Sequence, residues 1–169
     1  TPESFVQWAK QAFGEQAEEF LKIAAPTPEN FDEIKNSLFT QCLQAGTAAW
    51  ALTLEKQGRG PVYVYELTRD LPGDDKGPFQ AADLWYVFQT FMRAWRPWTG
   101  RDFELARDMN TYWANFAKNL NPNGKGLPQW TPYTAQKPEA MVFGNEKTEM
   151  QRLPEDACTA FRKQYLLNP

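Results

Sequence analysis

The seven residues Pro61–Leu67, PVYVYEL, constrain this chain more than any other stretch. β-Branched and aromatic side chains fill nearly every position, which suits a strand covered on both faces, as in a parallel sheet. Such a strand needs strand neighbours. Ala140–Phe143, AMVF, is the only other strand candidate, and one or two strands do not make the sheet this pattern implies. The expected fold class is α/β: mostly helical, with one long buried strand at about 61–67 and a short second strand at about 140–143.

The helical pattern is marked by its starts. Thr1-Pro2-Glu3 places a capping hydroxyl, a proline and an acid in the order that begins a helix, with Phe5, Trp8, Ala12 and Phe13 as its apolar stripe. Gly14 stops it, and Glu15–Ile23 reads as a second helix with Ala17, Phe20 and Leu21 inward. Thr27-Pro28-Glu29 repeats the start signal. Ile34, Leu38, Cys42, Ala45, Ala49 and Leu52 then recur at helical spacing, as two helices or as one broken at Gly46, where a kink or a close helix contact is expected. After the turn-rich loop Arg69–Gly77, Asp83 can cap a short helix through Phe91. Thr99 or Asp102 can cap another, carrying Phe103, Ala106, Met109, Trp113, Phe116 and Leu120. Pro154–Leu166 is the final helix.

At 169 residues the chain has room for one core, and with no repeat or linker-like shift in composition a single domain over 1–169 is the expectation. Net charge of -3 leaves no basic surplus for phosphates, which argues against nucleic-acid and anionic-membrane partners. No apolar run approaches the roughly 20 residues of a membrane helix, so a soluble chain is expected. Thr1-Pro2-Glu3 lacks the basic and apolar regions of a signal peptide, and nothing assigns a compartment. Cys42 and Cys158 show no metal-ligand spacing; small buried hydrophobes and a disulfide pair are both open readings.

The strongest chemical constraint is an absence. The chain contains no histidine, so neither a Ser-His nor a Cys-His catalytic unit can form within it, and imidazole-based zinc sites fall too. Its two serines, Ser4 and Ser37, lie in helical stretches outside any GxSxG elbow. The acidic pairs read as solvated surface, and Asp70, Asp74 and Asp75 lack the ligand series of a calcium loop. The glycines match no phosphate or dinucleotide motif. No metal or cofactor is expected. The aromatic group Trp85, Tyr86, Phe88, Phe91, Trp95 and Trp98 either lines a ligand surface or packs a short helix on both sides, and exposure of Trp95 and Trp98 would favour the former.

From Pro61 onward the order of motifs resembles the C-terminal third of the type-B carboxylesterases, the α/β-hydrolase family of para-nitrobenzyl esterases and cholinesterases. The resemblance is carried by PVYVYEL, GPFQAADLWYVF, RPWTGRDFELARDMNTYWANFAKNLNPNGKGLPQWTPY and MVFG, and is most specific over Tyr112–Tyr133. Thr1–Gly58 looks like the helical region that precedes the strand in that family.

The resemblance implies the C-terminal segment of an α/β-hydrolase whose parent cleaves carboxylic esters through a serine acyl-enzyme. In that family the histidine of a GxFH motif is the catalytic base, and its position here is Gln80, with Asp83 in place of the usual glutamate. Glutamine donates and accepts hydrogen bonds but takes no proton near neutral pH. Phe79, Trp85 and Phe88 would flank the acyl pocket. The nucleophile elbow, the triad acid and the oxyanion loop would belong to the remainder of the parent, which becomes the expected partner, and a homo-oligomer is a further expectation. Alone, the chain is expected to be inactive. The other reading is a non-catalytic, partner-binding relative of the esterases.

Overall fold

The first and last helices begin where a side chain takes up a free N–H, the role that Thr1 and Asp156 fill at opposite ends of the chain. The structure, a computed structural model, describes residues 1–168, which divide into two compact units: Thr1–Pro61 with residues 154–168, and Val62–Leu153. Among the described residues no helix is long and apolar enough to cross a membrane.

The first unit is helical. Helix α1 (Pro2–Phe13) is capped by Thr1, whose side chain accepts from the Ser4 N–H, and ends at Gly14 with φ +53°. A short 3-10 turn over Gly14–Gln16 leads into α2 (Ala17–Ala24), so the second helix starts two residues later than its sequence pattern suggests. Phe5, Ala9, Phe13, Ala17 and Phe20 form the buried centre, with Ile34, Leu38, Phe161 and Tyr165 packed against it. Ring pairs such as Phe13 and Phe20, with centroids 4.5 Å apart, lock this centre in place of branched aliphatics.

Helix α3 runs without a break over Phe31–Lys56. The expected discontinuity at Gly46 is absent, and a Cβ built there would meet nothing within 4 Å, so no close helix contact occupies it either. Its buried face is lined by small side chains, Ala45, Ala48, Ala49 and Ala51, together with Gln41, which donates to Asp156 at 3.0 Å. Asp156 in turn caps α6 (Ala157–Leu167) by accepting from the Thr159 N–H at 2.7 Å. Both cysteines are free, and Cys42 is exposed on α3, which corrects the reading of two buried hydrophobes; Cys158 is half-buried.

The second unit contains the sheet. Strand β1 (Tyr65–Leu67) pairs in parallel with β2 (Ala140–Phe143), Tyr65 lying opposite Met141 and Leu67 opposite Phe143. A parallel pair needs a long crossover, supplied here by α4 (Asp83–Val87) and α5 (Gly100–Asn119). A third strand, β3 (Thr148–Gln151), not foreseen from sequence, pairs antiparallel with β2, giving the order β1-β2-β3.

The ladder of β1 is shorter than the seven-residue pattern, and its residues are half-buried. Its first half finds other partners. The Val62 carbonyl accepts from Tyr133 N–H at 2.8 Å, and the Val64 carbonyl accepts from both Met141 N–H and the Trp130 indole, at 2.9 and 3.1 Å. Backbone demand ahead of the ladder is thus met by a loop N–H and a ring nitrogen as well as by β2.

Helix α5 buries Asp102, Leu105, Ala106, Met109 and Tyr112, whereas Phe103, Phe116 and Leu120 of the expected stripe are exposed. The helix is apolar on two sides, and the core takes the one that carries Asp102 and Tyr112. Leu120 ends it in the left-handed region at φ 55°. Beyond it, Asn123 bridges to Trp130 with both ends of its amide, accepting from its N–H at 2.7 Å and donating to its carbonyl at 2.8 Å. Asn115 donates to the Pro122 carbonyl at 3.1 Å. The spacing of asparagines, proline and tryptophan in this stretch is thus a hydrogen-bonded clasp that seats Trp130 on β1.

Because Gly46 lies inside α3 with open space around it, Gly46→Ala should raise stability by about 1 kcal/mol, the usual helix-interior difference between the two residues. Thermal unfolding followed by circular dichroism would show an increase of about 3 °C. A lower midpoint would mean that the glycine serves a contact.

Candidate functional site

The segment from Arg69 to Asp102 builds the candidate site out of turns, the short helix α4 and the N-terminus of α5. Phe79, Gln80, Ala81 and Ala82 form a tight turn in which the Ala82 N–H donates to the Phe79 carbonyl at 3.0 Å. Ala81, third in the turn, has φ 69°, a region that costs a residue with a Cβ roughly 1–2 kcal/mol. The consequence is presentation. Gln80 sits exposed at the apex, three residues before α4, with its side chain free of the core.

The aromatic side chains divide between packing and exposure. Tyr86 and Phe91 are buried, and Trp98 is half-buried among Trp85, Tyr86 and Phe91, with centroids 5.7, 6.1 and 5.3 Å away. Phe79, Phe88 and Trp95 remain open, at 47%, 66% and 72% exposure. Phe79 meets Trp85 edge-on at 5.6 Å, so these two of the three expected pocket residues form one wall next to Gln80. Phe88 follows α4 and makes no ring contact among the described residues.

Two arginines that sequence reasoning passed over hold this frame. Arg96, 8% exposed, donates to the Pro72 carbonyl at 3.0 Å and to Asp74 at 2.9 Å, and lies over the Trp95 and Phe79 rings at 5.2 and 5.9 Å. Asp74 is therefore an ion-pair partner, and Asp70 is engaged with the Asn145 amide. Gly73 is required where Trp95 folds over it, since a Cβ would fall 2.9 Å from that ring. Among the described residues no group of three or more Cys, Asp or Glu could hold a metal ion.

Arg69 anchors the deeper element. The Asp102 carboxylate is fully buried and accepts from Arg69 Nε and Nη2 at 2.9 and 3.1 Å, from Tyr86 at 2.9 Å, and from the Thr99 N–H and hydroxyl, both at 2.8 Å. One carboxylate thus ties the loop after β1, helix α4 and the start of α5. The hint in the sequence was the Thr99-x-x-Asp102 capping pair, although nothing local to it points to Arg69. Nearer Gln80, Asp83 accepts from the Tyr65 hydroxyl at 2.7 Å; burial first, and then that carboxylate, push the phenol's pKa up.

Burial alone would raise the Asp102 carboxyl, but the hydrogen bonds from Arg69, Thr99 and Tyr86 outweigh it and hold the group down at about 2. A carboxyl depressed on folding stabilises the fold above its unfolded value of 3.8, and that contribution disappears as pH falls through about 2. The loss should amount to about 2 kcal/mol across that window. Asp102→Asn should lower stability at neutral pH by about 3 kcal/mol, since it leaves Arg69 without its counter-charge, and should flatten the acid limb of a denaturant-stability profile. An unchanged profile would remove Asp102 from this role.

The model of the carboxylesterase family matches residues 4–162. The chain is similar to human cocaine esterase, at 40% identity over 79 residues that cover 43% of the chain and 14% of that protein. Mouse carboxylesterase 1F is 43% identical over 58 residues, covering 34% of the chain and 10% of the relative. Rat liver carboxylesterase B-1 is 33% identical over 105 residues, covering 55% and 17%. The matched stretches span less than a fifth of the length of these relatives. With nearly its whole length matched by the family's model, this chain belongs to the carboxylesterase family.

Proposed function

We propose that the chain forms the C-terminal part of a longer serine carboxylic-ester hydrolase, in which Gln80 occupies the position of the catalytic base and the chain alone does not turn over esters. The observation that carries the reading is the turn itself. A left-handed alanine follows residue 80, which stands out of the core beside the Phe79–Trp85 wall, at the position that the family resemblance gives to the base.

Acyl transfer by a serine needs a neighbour that accepts the hydroxyl proton and returns it to the leaving group. The Gln80 amide can orient a hydroxyl or a water through its carbonyl and NH2 groups, but it holds no exchangeable proton of suitable affinity. Phe79, Trp85 and Phe88 would give the acyl group of the substrate an apolar wall. The nucleophile and the oxyanion donors would come from the rest of the parent, which would also cover exposed side chains such as Leu84, Phe88 and Met92.

A second reading, a non-catalytic relative that binds a protein partner or a second copy of itself, is favoured by the complete absence of histidine and by the same exposed apolar side chains. One experiment separates the two. In the complete parent protein, Gln80→His should raise kcat/KM for a para-nitrophenyl ester by at least about a thousandfold, the scale on which triad bases act. A folded variant with no gain would count against the triad position and leave the binding reading in its place.

A further inference from the structure

The helical unit contains a cation that the esterase reading does not use. Arg162 of α6 is 5% exposed, and its guanidinium carbon lies 4.7, 5.2 and 5.5 Å from the ring centroids of Phe20, Trp8 and Phe13. The rings offset part of the cost of burying the charge. Nε and Nη2 have no hydrogen-bond partner among the described residues, whereas Nη1 donates to Cys42 Sγ at 3.5 Å. The thiol that accepts this bond is exposed on α3, with the 53%-exposed Phe39 one turn before it and Gly46, which has open space about it, one turn after.

We propose that Cys42 is a modification site for soft, apolar α,β-unsaturated carbonyl compounds, with Arg162 as the residue that activates it and Phe39 as the surface that holds the apolar tail. A charged N–H is a stronger partner for sulfur that carries negative charge than for a neutral thiol, and the thiolate is the attacking form. The sulfur lone pair forms a bond to the β-carbon, and the C=C π pair moves onto the carbonyl as an enolate. The α-carbon then takes a proton from water, while the thiol proton leaves to solvent. The adduct is the sum of thiol and carbonyl compound, and no oxidant is required. Cys158 is half-buried, and burial and then the Asp156 charge push its thiol up, against a smaller opposing pull from Arg162.

The test uses the whole chain with N-ethylmaleimide and N-phenylmaleimide as probes, site-resolved mass spectrometry as readout, and glutathione as the reference thiol in each solvent. Relative to glutathione, Cys42 should react at least about threefold faster in the folded chain than in urea, where the Arg162 N–H no longer faces the sulfur. Arg162→Met should abolish the gain and Arg162→Lys should keep part of it, with circular dichroism confirming the fold. The phenyl probe should be preferred more strongly by Cys42 than by glutathione. A folded-state rate no higher than in urea overturns the proposal, and that comparison needs no variant to fold. A rate unaffected by Arg162→Met in a folded chain overturns the activating role, and an absent phenyl preference overturns the apolar tail site.

Discussion

The second unit depends on a charge placed where water cannot reach it. Asp102 is buried at the start of α5, and an unpaired carboxylate there would cost far more than packing returns. Five hydrogen bonds offset that cost, and each comes from a segment whose position they fix: the loop after β1 through Arg69, helix α4 through Tyr86, and the α5 start through Thr99. Removing any donor leaves the charge undersupplied, so the three segments are held as a set. The Asn110 side chain adds a second tie from α5 to the Val87 carbonyl at 2.8 Å, at the far end of α4.

From that frame the presentation of Gln80 follows. Helix α4 is only five residues long and would not persist alone, yet Tyr86 and Val87 root it in the core. The turn before it is thereby fixed, left-handed alanine included, and Arg96 fastens the preceding loop through Asp74 and the Pro72 carbonyl. The scaffold of the proposed site is thus built to hold one side chain outward. In this chain that side chain is an amide, and the scaffold does not change the chemistry an amide can do.

Much of this was legible in the sequence where the cause is local. Thr1-Pro2 starts α1, Gly14 stops it and Thr99 caps α5, each because the decisive interaction lies within four residues. The shortening of β1 was not legible, because the Val62 carbonyl is taken by the Tyr133 N–H from a loop far along the chain. Helix α5 buries Ala106 and Met109 of its expected stripe but leaves Phe103, Phe116 and Leu120 exposed, because two apolar faces compete and Arg69, 33 positions upstream, holds Asp102 inward. Strand β3, TEMQ, is polar and half-exposed, and becomes a strand only because β2 offers it an edge. The motif that carried the family resemblance supplied position 80, whereas the carboxylate that steadies the surrounding segments looked like an ordinary helix cap.

The central claim is that this chain supplies a framed position without a base, and therefore no turnover. Hydrolysis of para-nitrophenyl acetate by the purified chain tests it most directly, measured against an equal mass of the same chain unfolded in urea and corrected for solvent. The account predicts no saturable turnover above the unfolded control. Saturable hydrolysis by the folded chain that disappears in Gln80→Ala would contradict it.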